Sequence, residues 1–560
     1  MTESSATRAL AIETVAHYHE ATKHRPKAYA PGPGFLDWDS QPNPFRRWPG
    51  APVYRLPLSE GRGLRDYTAL YGTADHACAL NEQYLGLFLE LAMGLSAWKR
   101  LGPERWALRN NPSSGNLHPT ETYLLLLRQV SAQLAPGLYH YAPFEHALER
   151  RALLPAAQAT ASCDANPGIF GAIAFSSIIW REAWKYGPRA YRYCQLDLGH
   201  ALGATRYAAA TLGWRAQLDS VPGDRALAAL LGLDRDADFG AAEPEHPEAV
   251  VLIGTASGPS PDWPEVASSL LDWRGGASTL SDQRVDWPEI TRVLPAMVKP
   301  DYPGIPSWHS NLTSTAVLPA DESGDAADLI RRRRSAQRMD RNAGTTLADF
   351  ERTLRRALPR RSSPPFDIWP YAPAVHLVVF VHDVVGLEPG LYILVRDPAG
   401  LDALRAATTD RCFEWARVDQ ASLSLYRLMT PVDLRRLASG LSCHQGIAGD
   451  GAFAIAMLAD LGGCMQIEGA WAWRRLHWEA GLIGQLLYLE AEASGLQGTG
   501  IGCFFDDEVH ALLGLPRDPL SNWQVVYHFT VGRAREDTRL LSEPPYTHLD
   551  VSTGTVVDHD

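Results

Sequence analysis

The sequence predicts an α+β protein made of two similar halves, each with an antiparallel-leaning sheet and one long central helix. A sequence element occurs twice, as LDLGHALGATRYAAATLGW near residue 200 and as WEAGLIGQLLYLEAEASGL near residue 480. Gly213 and Gly495 are 282 positions apart (495 − 213), and Gly232 and Gly514 are separated by the same interval. The tetrapeptide PGLY also occurs once in each half. Two long repeats predict a duplicated domain that pairs with itself.

Composition limits the class of protein. With 560 residues the chain is longer than one hydrophobic core normally serves, so at least two domains are expected. The net charge of −12 argues against general nucleic-acid binding. No stretch reaches the roughly 18 apolar residues that a membrane span requires, and the N-terminus has no apolar signal-peptide core. We therefore expect a cytoplasmic protein without nucleic-acid or membrane partners.

The cysteines predict a reduced protein without a metal site. There are seven of them, an odd number, and none forms a CxxC pair. This pattern fits a reducing compartment and does not fit a structural zinc site. Cys78 near His76 and Cys443 beside His444 have no second ligand pair nearby, so we expect no bound metal.

The first half is predicted to span residues 61–260, after an irregular arm at 1–60 that is rich in proline and aromatic residues. Apolar spacing and turn signals predict its elements in chain order: a helix at about 80–100, the strand TYLLLLR, a strand at PGLYHY, a strand at about 171–179, a long helix from about 188 to 212, and the strand AVVLIG. Residues 261–324 are predicted to be a connector with some structure around DWPEITRVL.

The second half is predicted to span 325–545, followed by a C-terminal tail at 546–560. The same signals predict its elements: a helix carrying RRRRSAQR, a helix at about 346–357, the strands HLVVFVH, GLYILV and GAFAIAML, a long helix from about 476 to 494, and the strand VVYHFTV. Both long helices carry small residues, which allow two helix axes to approach closely. Ordinary core helices are one interpretation, but the duplication favours packing of the two helices against each other as an intramolecular pseudo-dimer.

Three segments are candidates for binding. PSSGN at Pro112–Asn116 is a tight turn whose backbone N–H groups could face a flat polar ring or an anion, although a plain turn has the same pattern. RRRRSAQR at Arg331–Arg338 offers guanidinium groups and a hydroxyl at the start of a helical segment, which suits a phosphate monoester. A solvated basic face is the alternative. GTGIGCFFDDE at Gly498–Glu508 is a glycine-spaced turn where the backbone must approach something closely.

These segments together resemble the nitroreductase-like flavoenzymes, and within them the SagB-type dehydrogenases. The resemblance is carried by PSSGNLHPTETYLLL, PGLYHY, KYGPRAYRY, RRSAQRMD and AGLIGQLLYLEAEASGLQGTGIGCFFDDEVHALLGL, and it covers about 60–260 and 325–550. It implies two fused nitroreductase-like domains and an FMN bound at the interface between them. One domain would supply an R-x-S-x-R/K phosphate clamp and the glycine turn, and the other would supply the PS-x-G segment.

The resemblance assigns cofactor contacts to particular positions of this chain. Arg333 and Ser335 fall on the clamp, but its third position is Gln337, where the family usually has a cation, and Arg338 beside it is the candidate substitute. Gly500 and Gly502 fall on the turn beside the flavin ring. The segment from the other half corresponds to Pro112, Ser113, Ser114, Gly115 and Asn116. Arg533 and Arg539 are two further implied phosphate contacts.

The two halves differ at these positions. Opposite Gly500 and Gly502 the first half has Leu218 and Ser220, and it has no R-x-S-x-R segment. The second half in turn has no PSSG. One complete site can therefore be assembled between the halves, and we expect one FMN per chain.

Lys185 and Tyr186 are the candidate catalytic pair. The resemblance implies that a Lys-Tyr pair at this place is the catalytic base in azoline-oxidising members of the branch. Azoline oxidation needs a proton removed from Cα and a hydride passed to flavin. A lysine whose pKa is lowered by burial, or a tyrosine next to that cation, could accept the proton. A surface lysine and a packing tyrosine are the alternative. Arg189 and Arg192 are equally compatible with binding a substrate carboxylate or with a structural role.

The resemblance implies an FMN-dependent dehydrogenase that oxidises a peptide-bound azoline to an azole, or makes a related Cα–X desaturation, in natural-product biosynthesis. Dioxygen would reoxidise the flavin. The substrate would be a peptide or a carrier-bound small molecule, and a partner biosynthetic enzyme and further oligomerisation are possible. Two alternatives stay open: an NAD(P)H-dependent reductase of nitro, quinone or ene compounds, and a non-catalytic scaffold for a peptide or partner with a vestigial flavin site.

Overall fold

The computed structural model describes residues 5–59, 61–72, 76–302, 324–418 and 423–549. Residues 303–323 of the predicted connector and 550–560 of the predicted tail lie outside the described residues. The helices are α1 Ser5–Ala21, α2 Glu82–Met93, α3 Ala156–Ala165, α4 Ile179–Tyr186, α5 Ala190–Thr211, α6 Asp224–Leu231, α7 Asp236–Phe239, α8 Trp263–Ser269, α9 Pro288–Val293, α10 Ala326–Arg332, α11 Leu347–Arg356, α12 Leu401–Ala407, α13 Arg435–Leu441, α14 Ile447–Asp450, α15 Leu461–Glu468, α16 Ala472–Ala493 and α17 Asp506–Leu513.

The strands are β1 Val53–Arg55, β2 Leu95–Leu101, β3 Glu104–Arg109, β4 Thr120–Leu126, β5 Gly137–Ala142, β6 Ala147–Leu153, β7 Ile169–Ser177, β8 Arg215–Leu218, β9 His246–Gly254, β10 Thr345–Thr346, β11 Val375–Val381, β12 Val384–Val385, β13 Gly390–Leu394, β14 Ala416–Arg417, β15 Leu425–Met429, β16 Phe453–Asp460, β17 Gln497–Ile501, β18 Trp523–Gly532 and β19 Leu541–Glu543. None of the helices in these ranges is long and apolar enough to cross a membrane.

Each half contains a seven-stranded sheet with antiparallel ladders. The strand orders are β1-β6-β5-β4-β7-β9-β8 and β14-β15-β13-β11-β16-β18-β17, so six strands of one sheet have counterparts in the same order in the other. The central strands β4, β7, β11 and β16 are buried along nearly their whole length and do not alternate between buried and exposed residues, because helices cover them. The predicted α+β class and its duplication are confirmed.

The 282-residue interval is preserved without insertion through three pairs of helices. Adding 282 to the bounds of α4, α5 and α6 gives the bounds of α15, α16 and α17. The two long helices, α5 and α16, cross at Gly199 and Gly481, which are themselves 282 positions apart. A Cβ atom on Gly199 would lie 2.2 Å from the carbonyl oxygen of Trp478, and one on Gly481 would lie 2.1 Å from that of Leu196. The predicted pseudo-dimer interface is therefore the contact of the two central helices.

Two ion pairs related by the same interval link the halves. Arg192 of α5 pairs with Asp506 of the second half at 2.8 Å, and Arg474 of α16 pairs with Asp224 of the first half at 2.5 Å. Both arginines are buried. Breaking a buried pair by removing one partner typically costs about 3–5 kcal/mol. Arg192 therefore has a structural role, and binding of a substrate carboxylate by it is not supported.

The N-terminal arm is more regular than expected. It begins with helix α1, which buries Val15, Tyr18 and His19 and packs against α9 of the connector. The Tyr18 hydroxyl donates to the Pro188 carbonyl at 2.6 Å. The helix expected at 80–100 also ends early, at Met93, where β2 begins two residues later. Both differences come from tertiary contacts that local spacing does not contain.

We expect Gly199→Ala to lower the free energy of unfolding by about 1–3 kcal/mol, because its Cβ would overlap a backbone carbonyl of the facing helix. Gly440→Ala is the matched control: Gly440 lies within α13, and a Cβ there would meet nothing within 4 Å. Alanine is the better helix former by up to about 1 kcal/mol. Urea unfolding of both variants measures the difference, and equal stabilities would contradict close contact at the crossing.

Candidate active site

A cavity of about 1490 Å³ lies between the two halves. The first half contributes the turn 112–116, Tyr186 and one face of α5, and the second half contributes 332–338, the end of α16, the turn 499–503 and 533–542. Ligand pockets for a drug-sized molecule measure about 300–1,000 Å³. The cavity therefore has room for a cofactor and part of a substrate together.

The cavity collects the residues that the sequence assigned to cofactor binding, although they come from distant parts of the chain. All the predicted cofactor contacts are among the residues that line it: Pro112, Ser113, Ser114, Gly115, Asn116, Arg333, Ser335, Gln337, Arg338, Gly500, Gly502, Arg533 and Arg539. Tyr186 lines it as well, whereas Lys185 does not. Lys185 is half-buried, and its Nζ lies 5.5 Å from the centre of the Tyr186 ring. The roles of these residues stay predictions.

The turn 112–116 is held by a buried carboxylate. The backbone N–H and the hydroxyl of Ser114 both donate to Oδ1 of Asp197, each at 3.0 Å. Gly115 has φ +60°, and a Cβ there would lie 2.5 Å from the Tyr186 hydroxyl. The sequence predicts backbone N–H groups that are open to a ligand, but the N–H of Ser114 is occupied by Asp197. The close approach to Tyr186 explains why position 115 is a glycine.

The arginine segment lies at the end of a helix and not at the start of one. Helix α10 ends at Arg332, and the chain then runs extended beside β17. Ser335 forms a parallel bridge with Gly498, whose carbonyl accepts the N–H of Ala336 at 3.1 Å. The expectation that helix N-terminal amides would assist a phosphate here is wrong, because edge pairing with β17 takes the place of helix.

Arg333 is a buried cation that lacks a carboxylate partner. Its Nη2 donates to the Arg109 carbonyl at 3.0 Å, while no described residue accepts a hydrogen bond from its Nε or pairs with it within 4.0 Å. Burial lowers its pKa. Since an unpaired buried charge is costly, the geometry favours an anionic ligand at this position.

The other predicted phosphate contacts differ in availability. Arg338, Arg533 and Gln337 are exposed at the rim of the cavity. Arg539 already pairs with Asp537 at 2.7 Å. Arg333 is thus the best-placed cation for a phosphate, and Arg539 is the least available.

Tyrosine side chains lie so close to the turn that Gly500 and Gly502 have no room for a side chain. A Cβ on Gly500 would lie 1.9 Å from the Tyr527 hydroxyl, and one on Gly502 would lie 2.4 Å from the Tyr193 ring. The Tyr488 hydroxyl accepts the Gly500 N–H at 2.9 Å and lies 2.8 Å from Ser335 Oγ. No pattern in the sequence marks these tyrosines, because only the packing of the central helices and β18 brings them to the turn.

The equivalent turn of the first half is covered by the connector. Lys299 Nζ donates to the carbonyls of Ser220 at 2.7 Å and Pro222 at 2.6 Å, and the Asp224 N–H donates to the Lys299 carbonyl at 3.0 Å. Burial lowers the pKa of Lys299 to about 8. The connector thus packs on this turn, where the second half presents its turn to the cavity.

Arg189 holds the glycine turn by hydrogen bonds. It is buried, and it donates to the Gly502 carbonyl at 2.8 Å and to the Tyr193 hydroxyl at 3.1 Å. With Asp506 3.5 Å away, its guanidinium is engaged by protein groups. Like Arg192, it has a structural role.

A thiol pair lies at the edge of the cavity. Cys503, which lines the cavity, lies beside the thiol of Cys443 and the imidazole of His24. The interaction with Cys443, aided by His24 and opposed by burial, lowers the pKa of Cys503. The two cysteines are brought together by the fold, since the Phe505 N–H donates to the Leu441 carbonyl at 2.8 Å.

We expect iodoacetamide to alkylate Cys503 at about pH 6 roughly tenfold faster than an ordinary thiol, because its lowered pKa makes more of it thiolate while its lower basicity reduces its nucleophilicity. Peptide mapping after short pulses gives the rate, with the exposed Cys412 as an internal reference. Cys443→Ala should slow the reaction by raising the pKa of Cys503. A Cys503 rate that rises only above about pH 8 would contradict the assignment.

Comparison with known proteins agrees with this architecture. The model of the nitroreductase family matches residues 90–254 and 330–533, once in each half. A candidate nitroreductase from Anabaena variabilis has the same fold along nearly its whole length, with a TM-score of 0.66, 24% identity, and coverage of 93% of this chain and 99% of that one.

Two further structures match in part and add nothing to the fold assignment. A candidate nitroreductase from Ralstonia eutropha is 17% identical over 37% of this chain and 82% of its own, with a TM-score of 0.26. A chain of the E. coli microcin synthetase McbBCD complex with truncated pro-MccB17 is 18% identical over 46% of this chain and 99% of its own, with a TM-score of 0.27. The curated proteins gave no match. Because the family model matches in both halves and covers more than half of the sequence, the chain belongs to the nitroreductase family.

Proposed function

We propose that the chain is an FMN-dependent dehydrogenase of the SagB type, which oxidises a peptide- or carrier-bound azoline to an azole at one flavin site. Members of its family are FMN-dependent oxidoreductases. The observation that carries the proposal is that Tyr186 of the first half faces the same cavity as Arg333 and the glycine turn of the second half. A partner enzyme that makes the azoline would act before it.

The residues present fit FMN. Arg333 has a buried Nε without a partner in the described ranges, which suits a phosphate, and Ser335 lies two residues further along the same extended segment. Gly500 and Gly502 leave the turn free of side chains beside the cavity. Bound FMN would supply a two-electron acceptor for the substrate hydride.

The Lys-Tyr pair would handle the proton. Burial raises the pKa of Tyr186 well above its ordinary value, so the phenol is neutral near pH 7. Its hydroxyl, which faces Gly115, can orient the substrate ring or relay a proton. Lys185, whose amine lies near the Tyr186 ring but outside the cavity lining, would receive the Cα proton by way of the Tyr186 hydroxyl.

The test combines stoichiometry with turnover. Purified protein reconstituted with FMN should bind close to one flavin per chain, and it should remove two hydrogen atoms from a synthetic thiazoline peptide while consuming dioxygen. A colourless protein that takes up no FMN would support the scaffold alternative, and a ratio near two would contradict the single site. Steady NAD(P)H consumption with nitro or quinone acceptors, without thiazoline oxidation, would identify the reductase.

A further inference from the structure

Two buried carboxyl groups lie at the cavity wall beside the Lys-Tyr pair. Glu182 is on α4, one turn before Lys185, and Asp197 is on α5 and lines the cavity. Their side chains have almost no exposed surface, at 0% and 2%. The two carboxyls neighbour each other and the Ser113 hydroxyl. Neither forms an ion pair within 4.0 Å with any lysine or arginine in the described part of the chain.

Their hydrogen bonding is incomplete without an added proton. Asp197 accepts the N–H and hydroxyl of Ser114. Both oxygens of Glu182, in contrast, are buried and lack a hydrogen-bond partner among the described residues. Two adjacent carboxylates in a buried site cannot both ionise at low cost, and an unpaired buried charge is costly by itself. A proton on Glu182 that is donated to Asp197 removes both penalties and leaves the pair with one negative charge.

The second half does not have this acid pair at the equivalent positions. Glu479 occupies the position of Asp197 and likewise accepts a backbone N–H, from Ala374 at 3.0 Å. It is neutralised by Arg396, at 2.5 Å, and the position of Glu182 is taken by Cys464. The acid pair without a cation is therefore confined to the half that carries Lys185 and Tyr186.

The surroundings leave the proton on the pair near neutral pH. The groups that face it are Lys185 and Tyr186 of α4, Cys194 of α5, the hydroxyls of Ser113 and Ser114, and Tyr527 of β18. Burial raises the pKa of Asp197 to about 7, and burial together with Asp197 raises that of Glu182 well above its usual range. Lys185 acts against this shift on Glu182.

We propose that Glu182 and Asp197 share one proton and receive a second one from Lys185 during turnover, a role that rests on the proposed function. The substrate Cα–H bond breaks, its proton goes to the Lys185 amine and its electron pair forms the new ring double bond. The hydrogen of the adjacent carbon leaves as hydride, which bound FMN would accept. Lys185 then passes its proton to the acid pair through Glu182, the carboxyl on which it acts, and its amine is free for the next turnover. Reoxidation of the bound flavin by dioxygen, with formation of hydrogen peroxide, would consume the proton that the pair releases.

The proton on the pair can be measured in protein without flavin or substrate. Infrared difference spectra between about pH 5 and pH 9 should show the carbonyl band of a protonated carboxyl in the parent protein, and Glu182→Gln and Asp197→Asn should each lose it. The amide of either variant can still hydrogen-bond its neighbour, so folding is preserved. Persistence of the whole band in both variants, or its absence from the parent, would overturn the shared proton even if azoline oxidation is observed.

The transfer step is tested by turnover. Both variants should keep one FMN per chain, lose about 10²-fold in kcat/KM and lose the limb of the pH profile near pH 7. Glu479→Gln is the matched control: it should lower stability, because Arg396 loses its partner, and leave the pH profile unchanged. Loss of activity with an unchanged pH profile would overturn the acceptor role. Intact infrared bands without azoline oxidation by any form would instead remove the proposed function.

Discussion

Lys185→Ala is expected to lower azoline oxidation by about 10²–10⁴-fold while the protein keeps its flavin, the range by which a general base typically contributes. The two effects separate because Lys185 does not line the cavity, so its removal leaves the predicted cofactor contacts in place. Anaerobic mixing of FMN-loaded protein with a thiazoline peptide, followed by flavin absorbance, measures the chemical step directly. Lys27→Ala, at an exposed lysine, is the control.

Tyr186→Phe separates the hydroxyl from the ring. The ring packs edge-on against Tyr193, with centroids 4.7 Å apart, and phenylalanine preserves this contact. We expect a smaller loss than for Lys185→Ala, because the raised pKa of Tyr186 makes it a relay and not the final acceptor. Unchanged turnover in both variants would remove the pair from the mechanism and favour a surface lysine beside a packing tyrosine.

Arg333→Met is expected to weaken FMN binding by about 2–5 kcal/mol, the range for loss of one partner of a buried charged contact. Riboflavin, which lacks the phosphate, is the matched ligand. The parent protein should prefer FMN over riboflavin, and the variant should lose most of that preference while its riboflavin affinity stays nearly unchanged. Fluorescence titration of both ligands gives the four dissociation constants.

Two controls accompany this variant. Arg332→Met changes the neighbouring exposed arginine, whose pairing with Glu492 at 3.4 Å should contribute at most about 1 kcal/mol. Unfolding of the flavin-free proteins should show Arg333→Met to be at least as stable as the parent, since it removes a buried cation without a carboxylate partner in the described residues. Equal losses of FMN and riboflavin affinity would contradict a phosphate contact at Arg333.

The fold could be predicted because duplication leaves a signal that needs no propensity argument. Gly213 and Gly495 end their helices with φ of +70° and +68°, so the repeated glycines reflect a repeated backbone requirement. The candidate binding segments could be named for a similar reason: PSSG and the glycine turn each survive in one half only. Comparing the two halves supplied information that a single domain does not contain.

The local course of the arginine segment and the buried polar pairs could not be predicted. Residues 333–338 have helical composition, but pairing with β17 decides their conformation. Asp197 has an acid, Glu479, at its repeated position, so the sequence alone marks both as equivalent. Their difference depends on Arg396, which lies far away in sequence and reaches only one of them. Cys443 and Cys503 likewise meet only through loops of separate elements.

The crossing of α5 and α16 at Gly199 and Gly481 has an evolutionary consequence. In a homodimer with this geometry, every substitution is present at both interface sites, so a change that closes one site closes the other. Here the two helices belong to one chain, and a single codon change reaches one side only. Lys299 could cover the first turn, and Arg396 could neutralise Glu479, without any effect on the opposite cavity. Covalent linkage thus releases each side from the selection that acts on the other, and an asymmetric protein becomes accessible by single substitutions.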